Sequence, residues 1–268
     1  MKLKVLVDNN TYIDRYYFGE PAVSYYIEDE DTKILFDVGY SDIFLKNSAA
    51  LGVDLKNIDI IAISHGHNDH TGGLKYYFEK NCKNKISILA HPDAFKKKID
   101  GDLKICSPIL EEELKEKCNL ILSKESKKIS KHITFLGEIP RTNDFENKKP
   151  IGKQASGKAL VDDYVMDDTA LVYKSEDGIY VITGCSHSGI CNIVEYAKKV
   201  CSDNRVLGII GGFHLFQVNS GVRKTIEYLR KNNVKELYPC HCTSFAVKAE
   251  IHKYLPIKEV GVGLEINW

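Results

Sequence analysis

The chain has no excess of either charge. Its 268 residues hold 37 lysines and arginines against 37 aspartates and glutamates. A zero balance argues against a nucleic-acid binder that works by neutralising phosphates, which needs a surplus of basic side chains. It leaves room for a small phosphorylated substrate held by a few local charges. No apolar run approaches the roughly 18–20 residues that span a bilayer, so no membrane partner is expected. The opening Met1-Lys2-Leu3-Lys4-Val5-Leu6-Val7-Asp8 meets charge too early for a secretory signal, which points to the cytoplasm. There is no Cys-x-x-Cys pair among the eight cysteines Cys82, Cys106, Cys118, Cys185, Cys191, Cys201, Cys240 and Cys242. In a reducing compartment these are expected as free thiols, mostly buried as small apolar groups. No internal repeat and no low-complexity linker breaks the chain. At roughly 100–200 residues per domain, the length fits one large domain or two small ones.

What is present is strand and helix in alternation. Lys2–Val7 alternates charged and apolar residues, as a half-buried strand does. Ala22–Ile27 is a second strand, Glu28–Thr32 a polar turn, and Lys33–Gly39 a buried strand ending in a carboxylate and a glycine. Ser41–Leu51 suits a short helix ending at Gly52. Ile58–Ile63 is a buried strand, Leu74–Glu79 a helix and Ile86–Ala90 a strand. From Pro92 to about Lys158 the chain turns lysine-rich, with a helix near Ile109–Lys117, and reads as an inserted lid or small subdomain. Strands return at Ala170–Tyr173 and Tyr180–Thr183. Helix Ile190–Val200, strand Val206–Ile210, helix Val222–Lys231, strand Glu236–Tyr238 and helix Ser244–Lys253 follow. This is the pattern of a layered α/β protein with helices outside.

The strongest chemical signal is His65-x-His67-x-Asp69-His70. Three histidines and an aspartate at those offsets arise by chance with probability on the order of 10⁻³. The run follows a buried strand and precedes Gly72-Gly73, so short side chains can converge from a rigid support. Imidazole and carboxylate are ligands for zinc, iron or manganese. One turn cannot close such a site, and His187, His214 and His241 each follow a buried strand with small residues nearby. Ligands collect where strands of open α/β sheets end. His91, before Pro92, is a weaker case. His132 and His252 read as surface residues.

Ser64-His65-Gly66-His67-Asn68-Asp69-His70-Thr71-Gly72-Gly73-Leu74 resembles the metal motif of the metallo-β-lactamase fold superfamily. Leu35-Phe36-Asp37-Val38-Gly39 resembles its upstream strand and aspartate. Four stretches narrow the likeness: Gly137-Glu138-Ile139-Pro140-Arg141, Gly184 to Ile190, Gly211-Gly212-Phe213-His214-Leu215 and Pro239-Cys240-His241-Cys242-Thr243. Together they resemble the dihydropterin-ribofuranosylaminobenzene phosphate synthase-like subfamily, many of whose bacterial members are called only metal-dependent hydrolases. The resemblance covers nearly the whole chain and weakens between about 92 and 135. It implies an α/β (α+β) fold, a four-layer αβ/βα sandwich over residues 1–268, with 92–158 as the insertion.

The resemblance also implies roles. His65 and His67 match the first metal's ligands, Asp69 and His70 the second metal's, and His241 the last histidine of the pattern. His187 is expected as a ligand, with Asp168 and Cys185 as further metal candidates. Cys185 stands where a bridging aspartate is usual. His214 is a ligand or a catalytic proton donor. Glu20-Pro21-Ala22-Val23-Ser24 stands where the subfamily commonly has a glutamate followed by a His-Gly pair, so the substrate can differ. Zinc is expected first, with manganese, iron or magnesium as alternatives, at one or two ions per chain. Asp69 would orient a metal-activated water, and Arg141 would hold a substrate phosphate as a bidentate guanidinium. The implied activity is hydrolysis, or synthase-like transfer, on a small phosphorylated or pterin-like substrate. A nuclease or phosphodiesterase using Lys96, Lys97, Lys98, Lys127, Lys128 and Lys131 is an alternative. A non-catalytic or di-iron redox protein using Cys185, Cys240 and Cys242 is another. Homo-oligomerisation is left open.

Overall fold

Every second residue of the early strands faces a different layer. In the strand Thr32–Phe36, Ile34 and Phe36 enter one hydrophobic cluster while Leu35 enters another, the period of two that a strand buried on both faces requires. The computed structural model describes residues 1–80, 86–146 and 148–268. The first half runs β1 (Lys2–Val7), β2 (Ser24–Asp29), β3 (Thr32–Phe36), α1 (Ile43–Ala50), β4 (Ile60–Ala62), α2 (Asn68–Thr71), α3 (Leu74–Lys80) and β5 (Ser87–Ala90). Next come β6 (Lys98–Asp100), β7 (Leu103–Lys104), α4 (Glu111–Lys117), β8 (Asn119–Leu122), β9 (Lys127–Lys128), β10 (Ile133–Phe135), β11 (Lys153–Ser156) and β12 (Ala159–Asp162). The chain closes with β13 (Ala170–Lys174), β14 (Ile179–Thr183), α5 (Ile190–Cys201), β15 (Val206–Gly212), α6 (Ser220–Lys231), β16 (Glu236–Cys240), α7 (Phe245–His252) and β17 (Glu265–Asn267).

Two large sheets form the centre. One has the order β17-β1-β2-β3-β4-β5-β8, the other β16-β15-β14-β13-β10-β9. Leu3, Tyr25, Ile27, Ile34 and Phe36 of the first share a buried cluster with Phe135, Leu171, Ile182, Ile210 and Tyr238 of the second. Phe44, Leu74, Phe78 and Leu114 from α1, α3 and α4 cover the outer face of the first sheet. Ile193, Ile226 and Val247 from α5, α6 and α7 cover the second. The layering is therefore αβ/βα, a mixed α/β fold. The polar turn after β2 is shorter than the composition suggests. Glu28 pairs with Lys33 and Asp29 with Thr32 in the ladder, because opposite charges across a strand pair stabilise it.

A third sheet, β12-β11-β6-β7, is small. The stretch 92–158 is shared among all three sheets: β8 extends the first, β9 and β10 the second, and β6, β7 and β11 build the third. Cys82 lies outside the described residues; the other seven cysteines are free thiols. No helix among the described residues is long and apolar enough to cross a membrane.

Strands β3-β4-β5-β8 are parallel to one another, as are β14-β15-β16. Their C-terminal ends are where the chemistry-bearing residues gather. Asp37 follows β3, the His65–His70 run follows β4, Cys185 and His187 follow β14, His214 follows β15 and His241 follows β16.

The third sheet is tied to this edge by a buried ion triad. Lys98 Nζ reaches Asp163 Oδ2 at 2.7 Å and Asp167 Oδ1 at 2.8 Å, with all three side chains fully buried. The other oxygen of Asp167 accepts the Gly66 N–H at 2.7 Å. Burial is the largest single influence on both groups and works against charge. The two carboxylates together outweigh it at Lys98, whose pKa is raised, and Lys98, His67 and the Gly66 N–H together outweigh it at Asp167, whose pKa is lowered. The Asp167 contribution is present above its ordinary 3.8 and is lost as pH falls through its lower folded value. The Lys98 contribution is present below 10.5 and is lost as pH rises through its higher folded value. Lys98→Met is predicted to lower unfolding stability by about 3–5 kcal/mol at pH 7, because it leaves two buried carboxylates without a cation. Guanidinium denaturation checks this; an unchanged midpoint contradicts it.

Candidate metal centre

Position in the site is dictated by tight backbone. A Cβ at Gly66 would stand 1.9 Å from the Ala94 carbonyl oxygen, so only glycine lets the loop press against the turn that follows β5. Asp37, Ser186, His214 and His241 all hold left-handed backbone at φ 58, 54, 49 and 47°. Such conformations cost roughly 1–3 kcal/mol each and persist only where surrounding structure enforces them. Here four of them ring one spot.

The donors fall into two sets. In the first, His65 Nε2 lies 3.1 Å from His67 Nδ1 and 3.2 Å from His187 Nε2. In the second, Asp69 Oδ2 lies 3.4 Å from His70 Nε2 and 3.3 Å from His241 Nε2. Cys185 Sγ joins the second set, 3.1 Å from His70 Nε2 and 3.2 Å from His241 Nε2. The donor atoms of Asp69, His70, Cys185 and His241 all lie within 4.8 Å of one another, as do those of His65, Cys185 and His187 and those of His65, His67 and Asp69. Cys185 and Asp69 thus each touch both sets.

Hydrogen bonds behind the donors fix which nitrogen faces inward. His70 Nδ1 donates to Asp37 Oδ2 at 2.7 Å, which turns Nε2 to the centre. Asp37 also accepts the Ser64 N–H and hydroxyl, each at 2.7 Å. With its proton committed to Asp37, Ser64 Oγ accepts from His65 Nδ1 at 3.0 Å. His241 Nδ1 donates to Asn9 Oδ1 at 3.0 Å, and its backbone N–H to Asp8 Oδ2 at 3.1 Å. Asp8 and Asn9 were not expected from the sequence. The signal was the polar run straight after β1, the same strand-end pattern that marks the histidines.

Charge differs between the sets. Burial and neighbouring imidazoles push His65 and His187 well below the ordinary value, and burial lowers His67 as well. These rings are neutral, the form that ligates metal. Burial disfavours charge on Asp69 too, but His70 and His241 hold its carboxyl well below the usual range. Asp69 and Asp37 in turn raise His70 against its burial. Burial pushes the Cys185 thiol well up, so only a bound cation would make it a thiolate. Burial, then His67 and His241, lowers His214 to about 4.

The donors fit a metal. The nitrogens turned into the first set are His65 Nε2, His67 Nδ1 and His187 Nε2; the opposite nitrogens, His67 Nε2 and His187 Nδ1, are buried without a hydrogen-bond partner. Imidazole nitrogens, a carboxylate and a thiol in two compact sets are ligands for a borderline-soft divalent ion.

Other expected residues stand apart from the convergence. Asp168 is outside these clusters; its Oδ2 accepts the Ser188 N–H at 2.8 Å, its Oδ1 is unpartnered, and burial lifts its pKa to about 6. Arg141 donates Nη2 to the Tyr164 and Val165 carbonyls and is not among the residues lining the two cavities beside the centre. His214 sits against His187, ring centroids 4.3 Å apart. His91 is committed elsewhere, to Glu138 through Nε2 and to the Asp93 N–H through Nδ1.

Two cavities open on the centre. One of about 450 Å³ is lined by His67, Asp69, Cys185, His187, His214 and His241. The other, about 480 Å³, shares His187, His214 and Phe216 and adds Phe145 and Phe213.

A layered α/β sandwich with a histidine-rich donor cluster at one strand edge is the architecture of a metal-dependent enzyme class. The family model of the metallo-beta-lactamase superfamily matches residues 17–200, and the chain belongs to that superfamily. It is 38% identical over 248 residues to an uncharacterized protein of Methanocaldococcus jannaschii, covering 91% of each chain. It is 34% identical over 266 residues to the 7,8-dihydropterin-6-methyl-4-(beta-D-ribofuranosyl)-aminobenzene-5'-phosphate synthase of the same organism, covering 93% of this chain and 89% of that one. A solved metal-dependent hydrolase of the beta-lactamase superfamily superposes with a TM-score of 0.85 at 29% identity, over 100% of this chain and 99% of that one.

Asp37→Asn is predicted to weaken the ion held by Asp69, His70 and His241 by about 10–100-fold, since carboxylates behind ligating histidines orient and polarise them. Chelator competition measures this; unchanged affinity would show that Asp37 serves packing alone.

Proposed function

We propose that this chain is a metal-dependent enzyme acting on a small phosphorylated or pterin-like molecule. The observation that carries the reading is the convergence of His65, His67, Asp69, His70, Cys185, His187 and His241, with His67, Asp69, Cys185, His187 and His241 lining a cavity sized for such a substrate. The synthase from M. jannaschii supports transfer chemistry on a pterin-linked ribosyl phosphate. The solved metal-dependent hydrolase supports hydrolysis. Pro21 lines the cavity where the subfamily commonly carries histidine, which argues for a different substrate contact there. Zinc suits the nitrogen, oxygen and sulfur donors best; iron or manganese comes next, and magnesium is disfavoured by imidazole and thiol.

A divalent ion in these sets would supply a Lewis acid and an activated water at neutral pH. The residues do the rest. Asp69, anionic and shared by both sets, orients what enters between them. His214, neutral above about pH 4, takes up a proton from the attacking group before it can return one to a leaving oxygen. Phe145, Phe213 and Phe216 offer apolar wall to a planar ring. Arg141 gives Nη2 to two carbonyls while its buried Nε has no hydrogen-bond partner, so a phosphate contact would use the remaining N–H groups of the guanidinium.

The alternatives draw less support. Lys96 is paired with Asp93, Lys131 with Glu30, and Lys98 is buried, so the lysines considered for a nuclease groove are partly spent. Cys240 bonds to Tyr25 in the interior, 3.2 Å away, which leaves Cys185 as the cysteine among the clustered donors.

The test is a screen of phosphate esters and reduced pterins with metal-loaded protein. His65→Ala and His214→Ala are each expected to lower turnover at least about 10²-fold, with His214→Ala retaining its metal. Full activity in both variants would overturn the reading.

A further inference from the structure

One feature of the sequence is not absorbed by the metal centre: the lysines around its loop. A cavity of about 630 Å³ is lined by Lys75, Lys97, Lys104, Tyr40, Tyr76 and Asn68, among others, and by no carboxylate. Asn68, flanked in the chain by His67 and Asp69, also lines the metal-side cavity. None of the three lysines has an ion pair among the described residues, although Lys96, Lys115, Lys117, Lys124 and Lys131 nearby in sequence all have one. In a chain of zero net charge, three unpaired ammonium groups around one concavity form a local positive field.

The placement is built. Lys97 precedes β6 and Lys104 ends β7, and the Lys98 triad pins this hairpin against the loop through Asp167 and the Gly66 N–H. Asn68 N–H donates to the Ile105 carbonyl at 2.9 Å, and His67 bridges to Cys106 in strand fashion. The third sheet therefore holds the lysines in fixed relation to the metal loop. Lys75 comes from α3, which begins three residues after Thr71 at the end of the same loop.

We infer that this cavity is the anion-binding half of the substrate site. It takes the phosphate or diphosphate group of a small molecule whose other end reaches the metal centre past Asn68. A phosphate monoester carries about −1.5 to −2 charge at pH 7, which three lysines more than balance. Tyr40, Tyr76 and Ser107 add hydroxyl donors. The inference rests on the reading of the metal centre given above, and it assigns that substrate its charged end.

Calorimetric binding of inorganic pyrophosphate and of ribose 5-phosphate to the metal-loaded full chain tests it. Lys75→Ala/Lys97→Ala/Lys104→Ala should bind both at least about tenfold more weakly with metal content unchanged, while the corresponding triple arginine variant keeps the affinity. The double variant Lys97→Ala/Lys104→Ala serves if the triple one does not fold. Equal affinity in wild type and alanine variants would place phosphate on the metal alone and overturn the inference, as would no binding to wild type. Tighter binding of an RNA oligonucleotide than of pyrophosphate, lost in the same variants, would overturn the small-molecule assignment. Binding is read without turnover, so failure of the substrate screen and failure here are separate results.

Discussion

A carboxylate buried without solvent must be matched by donors, and Asp37 is where this molecule meets that demand. Its side chain is fully buried at the end of β3, yet it takes the Ser64 N–H, the Ser64 hydroxyl and the His70 ring. Those three bonds lock the end of β4 to the end of β3 and aim one ligand histidine. Through Ser64 they aim a second, His65. Gly184, on the other sheet, packs so close that a Cβ there would meet Ser64 Oγ at 2.2 Å. The loop carrying Cys185 and His187 is thereby set against the same hub. Removing that anchor would loosen the centre before any ligand itself was touched.

The sandwich explains why this is possible. Each sheet contributes parallel strands whose C-terminal ends open on one edge, and loops there can be short because buried strands stand directly behind them. Each donor set draws on both sheets, His65 and His67 meeting His187, and Asp69 and His70 meeting Cys185 and His241, with Cys185 and Asp69 reaching both sets. Left-handed backbone at Asp37, Ser186, His214 and His241 is tolerated because the sheets over-determine these positions.

Much of this was legible in the sequence. Buried strands such as Ile58–Ile63 and Val206–Ile210 announce themselves by apolar runs, and the amphipathic helices after Cys185 and Phe216 by their period. The histidine spacing after β4 marks a convergence, and histidines after β14, β15 and β16 could be found by the same strand-end rule. The third sheet could not be read. β6, β7 and β11 are two to four residues long, too short for a period to show. Their link to the site runs through Lys98, one lysine among many, whose burial only tertiary structure reveals. Asp8 and Asn9 escaped for a different reason: their partner His241 is more than 230 residues away in the chain. Arg141 reads as a phosphate holder; that its Nη2 goes to the Tyr164 and Val165 carbonyls, more than 20 residues away, is a tertiary contact the sequence does not show.

On the proposed reading, each donor set would hold one ion, with Asp69 serving chiefly the set that includes His70 and His241. Elemental analysis of metal per chain, on wild type and on Asp69→Ala, tests this most directly. Two ions in wild type falling to one in the variant is the predicted result. One tight ion in both proteins would contradict it, and would mean that the Asp69, His70, Cys185 and His241 cluster holds no metal.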